Sequence, residues 1–157
     1  MSVRPLFLFL CLALTPALSA SDLTIVRVFT GWRAGDSFKR IAEYFDGKEH
    51  SGSEIILRTH PAQRTGYYFL VRLKNPGAAR PVHFQLELIA PGTGASRTVD
   101  FPAELGTDSP VYQLGLTGPE WQDPKVQPTA WRLRVLGEND QVLATEKSYL
   151  WEKPADK

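Results

Sequence analysis

Between Gly66 and Pro91 the chain alternates apolar and polar side chains with a two-residue beat, GYYFLVRLKNPGAARPVHFQLELIAP. Tyr67, Phe69, Val71 and Leu73 share one parity against Leu70, Arg72 and Lys74; Val82, Phe84, Leu86 and Leu88 then alternate with His83, Gln85 and Glu87. Successive strand residues point to opposite faces, so each run predicts a strand with one buried and one wet face. Asn75-Pro76-Gly77 supplies a turn between them. The pair reads as a β-hairpin at the centre of a sheet that packs on a second layer.

The same reading extends to the rest of the chain. Leu23–Phe29 (LTIVRVF) is rich in β-branched residues and predicts a first strand, followed by a Gly31–Gly35 loop carrying Trp32 and Arg33. Phe38, Ile41, Ala42 and Phe45 recur at helical spacing. They predict one short helix over 37–46, capped by Asp36 or Ser37, ended by Gly47, and laid as a lid across an edge or end of the sandwich. Glu54–His60 returns to strand. A short strand follows around Thr98–Phe101, which Pro102 ends or confines to an edge. Val111–Thr117 is another strand, with a bend at Gly115, and Gly118–Thr129 is a long connection with three prolines. The chain closes on a second hairpin. Trp131, Leu133 and Val135 point inward there, Arg132 and Arg134 outward, and a bulge near Thr145–Lys147 would return Tyr149 and Trp151 to the core.

These elements define an all-β class, an immunoglobulin- or fibronectin-like β-sandwich of about seven or eight antiparallel strands with one short α-helix. A Greek-key barrel is the alternative.

The first twenty residues stand apart from this pattern. Arg4 precedes an apolar run, Leu6–Leu14, and the small residues of Thr15–Ala20 follow it. This predicts a signal peptide over 1–20 and a single domain over 21–157, secreted or periplasmic, with no integral membrane segment after cleavage. An uncleaved anchor is the competing reading. Cys11, the chain's one cysteine, would leave with the peptide. Disulfides, thiolate nucleophiles and zinc–thiolate sites are then excluded from the mature chain. Removing Arg4 also makes basic and acidic residues equal in number, so no overall field draws the chain to nucleic acid.

Little in the remaining residues points to chemistry. His50, His60 and His83 lie on separate segments without metal-ligand spacing, and no GxSxG occurs. Glu138-Asn139-Asp140 and Asp46–Glu49 lack the spacing of a calcium loop. Gly92-Thr93-Gly94 lacks the helix and lysine of a phosphate cradle. No catalytic residue, metal or cofactor is expected. The candidate ligand-binding residues are aromatic and basic. Trp32, Trp121 and Tyr68 could stack on a ligand, against the alternative that the tryptophans cover an open end of the sandwich. Arg72, Arg132 and Arg134 would form a cationic stripe if their strands were neighbours, against the alternative of a solvated face paired with Glu87 or Glu54. The expected function is an exported non-enzymatic module that binds an envelope or extracellular protein. A carbohydrate-binding module using the loop tryptophans is second, with a glycan as partner, and a small exported hydrolase or metal enzyme is third.

Overall fold

A computed structural model describes residues 23–152; the expected signal peptide and the C-terminal tail lie outside the described residues. Among the described residues eight strands occur in the order β1 (Thr24–Arg33), β2 (Glu54–Arg58), β3 (Gly66–Lys74), β4 (Arg80–Ile89), β5 (Ser96–Leu105), β6 (Val111–Thr117), β7 (Ala130–Leu136) and β8 (Val142–Lys147). They form two four-stranded sheets. Sheet I has the order β1-β3-β6-β2 and sheet II the order β5-β4-β7-β8.

The two-residue beat builds the interior. Tyr67, Phe69, Val71 and Leu73 of β3 and Tyr112, Leu114 and Leu116 of β6 face Val82, Phe84, Leu86 and Leu88 of β4 and Leu133 and Val135 of β7, all buried. Each such side chain contributes about 1.5–3 kcal/mol on leaving water, so this layer dominates stability. The chain switches sheets three times, between β3 and β4, between β5 and β6, and between β6 and β7. With β2 set aside, that is the crossing pattern of an immunoglobulin-type sandwich.

Several expectations are corrected. The central pair is not a hairpin, because β3 and β4 belong to different sheets. Asn75 still makes the turn, accepting from the Gly77 amide at 3.2 Å and donating to the Ala78 and Gly106 carbonyls. That turn arches across the core instead of closing a ladder, since alternation fixes which face is buried but not which strand is the neighbour. Not every pairing is antiparallel either, as β2 runs parallel to β6. β1 continues through the expected Gly31–Gly35 loop, pairing Trp32 with Tyr67 and Arg33 with Gly66. β5 runs ten residues through Pro102, which is tolerated because β5 is an edge strand.

The helix over 37–46 does not form. A 3-10 turn at Gly35–Phe38 and a single α-turn, α1 (Glu43–Asp46), flank an extended Lys39 (φ −70°, ψ 125°). Gly47 does end α1 in the left-handed region at φ 69°. A helix this short is marginal alone, and contacts to sheet I decide the path. Phe38 is buried while Ile41 and Phe45 face solvent. The closing hairpin, β7–β8, forms as expected, but its irregularity sits at Leu143, between the pairs Val135–Ala144 and Leu136–Val142. Beyond β8 the chain turns into a 3-10 helix, Tyr149–Glu152. Tyr149 is left exposed, and Trp151 lies on the outer side of sheet II against Arg132, 5.0 Å from ring centre to guanidinium carbon.

Candidate functional site

The outward residues of sheet I set up the site. Strand register places Arg27, Phe29, Gly31 and Arg33 of β1 beside Arg72, Leu70, Tyr68 and Gly66 of β3, and Leu70 and Tyr68 beside Gln113 and Gly115 of β6. Segment 34–53, the strap, lies over one half of this face. Its Phe38 ring sits 4.9 Å from that of Tyr68, with the Arg33 and Arg58 guanidinium carbons 4.1 and 4.9 Å from the Phe38 centroid. Gly115 makes this possible. A Cβ there would fall 2.4 Å from the Tyr68 ring, so only glycine lets the phenol lie across β6.

Polar groups under the strap are paired. The Tyr68 hydroxyl donates to the Arg64 carbonyl at 2.6 Å and accepts from Arg58 Nε at 2.9 Å. Arg58, with its side chain 6% exposed, forks onto Glu49 at 2.5 and 2.8 Å, and Arg64 pairs with Glu43 at 2.7 Å. A guanidinium this deep requires such partners, because an unpaired buried charge is strongly destabilising. The Arg58 hydrogen bonds hold the Glu49 carboxyl below its ordinary range, and burial pushes the Tyr68 phenol up. Arg33 donates to Gln113 Oε1 at 2.5 Å, and the Gln113 amide donates to Glu54 at 2.6 Å.

The other half of the face is open. Val26, Arg27, Phe29, Glu54, Leu70, Arg72 and Val111 line a hollow of about 360 Å³. Val26 is the extra residue at a register shift between Ile25 and Arg27, and it and Phe29 are both more than half exposed. Arg27 lies over Phe29 at 5.1 Å, whereas Arg72 has no hydrogen-bond or ion-pair partner among the described residues. The strap adds its own apolar surface. Ile41, Tyr44 and Phe45 are 78%, 78% and 86% exposed.

The residues singled out in the sequence fall in three places. Tyr68 is fully buried beneath the strap and cannot meet a ligand while the strap is seated. Arg72 points out from sheet I, but Arg132 and Arg134 point out from sheet II, on the opposite side of the sandwich. The stripe is therefore not assembled. Arg132 and Arg134 instead reach Glu87 at 2.5 and 3.5 Å, and the Arg132 hydrogen bond lowers the Glu87 pKa. Trp121 is 6% exposed, its Nε1 donating to the Val126 carbonyl at 3.0 Å, and Trp32 is a partly buried strand residue. Both indoles nevertheless border one concavity at an end of sheet I. His50 pairs with Asp46 at 2.7 Å, His60 Nδ1 lies 3.0 Å from the Thr117 carbonyl, and His83 belongs to the other sheet. Among the described residues no group of three His, Cys, Asp or Glu side chains is placed to hold a metal.

Sequence reasoning missed the Phe38–Arg58–Glu49 assembly and the open hollow. Strand parity places Arg58 on a face, but its partners lie elsewhere along the chain: Phe38 within the predicted helix and Glu49 just past its end. Geometry thus defines a β-sandwich domain with an apolar, arginine-flanked layer on one outer face. No family model matches the chain, and neither the curated proteins nor the solved structures include a significant match.

Proposed function

We propose that this chain is an exported, non-enzymatic accessory module of the cell envelope that binds another protein through the outer layer of sheet I. The observation that carries this reading is the exposure of Val26 and Phe29 in the hollow of sheet I and of Ile41, Tyr44 and Phe45 on the strap that covers its other half, each at least half exposed. Large apolar side chains gathered in this way mark interaction surfaces. The hollow also gives the partner a chemistry. Arg72 is uncommitted, while Glu54 is already engaged by Gln113 and lies 3.9 Å from Arg40. The surface suits a protein presenting apolar side chains beside a carboxylate. Export rests on the charged, apolar and small-residue succession of the first twenty residues.

The test is a photo-crosslinking residue placed singly at Phe29, Tyr44 or Gln85 of the full chain in cells. Discrete adducts from Phe29 and Tyr44 but not from Gln85, which lies on sheet II, are expected. Equal labelling from all three positions, or none from the first two, would overturn the reading. An adduct at twice the chain's own mass would replace the partner with a second copy.

A further inference from the structure

A second concavity lies where β1 ends, β3 begins and β6 ends. Trp32, Gln63, Thr65, Gly118, Pro119, Trp121 and Gln122 line an open concavity of about 350 Å³ there, toward the small end of ligand pockets. None of these side chains is ionisable. The indoles are held in place: Trp32 sits on β1 opposite Tyr67, and Trp121 is fixed by its Val126 hydrogen bond and by the Tyr67 ring at 5.4 Å. Gly118 adopts φ +63°, and a Cβ on it would fall 2.3 Å from Gln63 Oε1, so the glycine is what seats the Gln63 amide at the rim. The Gln63 and Gln122 side-chain amides have no protein partner among the described residues. Thr65 Oγ1 accepts from the Gly35 amide at 2.9 Å and keeps its proton to donate.

We infer that this pocket binds a neutral saccharide unit, independently of the protein-docking face. An indole face offers an apolar platform for the C–H side of a pyranose ring. Amide side chains supply a donor and an acceptor side by side, which matches vicinal hydroxyls. A charged ligand would find no counter-charge in the lining. Held aromatic rings also spare the ligand the cost of ordering them.

Titration calorimetry of the full folded protein with chitotetraose, cellotetraose and maltotetraose tests this, with a hexaproline peptide as a further arm. Saturable binding of at least one tetrasaccharide is expected, with a dissociation constant on the order of 0.1 mM. It should change less than about twofold between low and high salt, because no ion pair is made. Trp32→Ala should weaken it about tenfold or more, and Gln122→Ala about threefold to tenfold. Trp151→Ala, on the other side of the molecule, should leave it unchanged. Trp32 also touches the core, so Gln122→Ala, whose side chain has no partner to lose, decides the matter if the tryptophan variant fails to fold. Silence from all three sugars at 100-fold the expected constant (about 10 mM), undiminished binding in Gln122→Ala, or a response to hexaproline alone would each overturn the inference.

Discussion

The two sheets have four strands each and the same alternating inner faces, yet their outer faces are different objects. Sheet II carries Arg132, Arg134, Glu87 and Gln85, partly exposed and paired with each other across neighbouring strands. Such pairs satisfy a wet surface and add little to stability. Sheet I instead buries Tyr68 and Gln113 on its outer side, beneath a strap fastened by Phe38 and two arginine–carboxylate pairs. The lesson is that a sandwich needs only one side of each sheet for its core. Where the other side is also covered, the covering segment adds a third layer and a new outer surface.

Three measurements would sharpen or break this contrast. Phe38→Ala should have the largest effect, about 3–5 kcal/mol in chemical denaturation, because the ring fills the space between Tyr68 and two guanidiniums. A loss under about 1 kcal/mol would mean that the strap rests on the sheet without being packed into it. The acid response comes next. The Glu49 carboxyl titrates below its ordinary 4.5 in the folded chain, so its contribution is fully present above that value. It should disappear as pH falls through the lower, folded value. Amide protection over 34–53, taken against the intrinsic exchange rate at each pH, should therefore fall in acid, and Glu49→Gln, already lacking the charge, should cost about 1–3 kcal/mol at neutral pH and flatten that response. Unchanged protection at low pH would remove the carboxylate from the account. The smallest effect belongs to sheet II. Arg132→Ala should cost about 0–1 kcal/mol, and a loss comparable to that of Phe38→Ala would erase the distinction between the faces.

How far the sequence carried this picture follows from what periodicity encodes. The inward residues of β3, β4 and β7 were legible because a strand reports its faces directly. The neighbour of each strand was not, since Asn75-Pro76-Gly77 serves an arch between sheets as well as a hairpin within one. Phe38, Ile41 and Phe45 fit a helical stripe, but spacing could not reveal that Phe38 turns toward Tyr68 while the other two stay in water. The candidate site was legible in parts. Trp32 and Trp121 were singled out, and they do share a concavity, although Trp32 was expected in a loop. Arg58 falls within the strand predicted over Glu54–His60, but nothing nearby in the sequence signals the Glu49 carboxylate that covers it. Pairings between segments far apart along the chain leave no local trace.

Arg33 and Gly66 face each other directly across β1 and β3, so everything from Ala34 to Thr65 is an excursion between two residues already in register. Strap and β2 both belong to it. The seven other strands make a sandwich that a tight reverse turn at that point would leave connected. The strap, with Ile41, Tyr44 and Phe45 on it, is in this sense a detachable cassette, able to lengthen or shorten while the core between the two sheets stays the same.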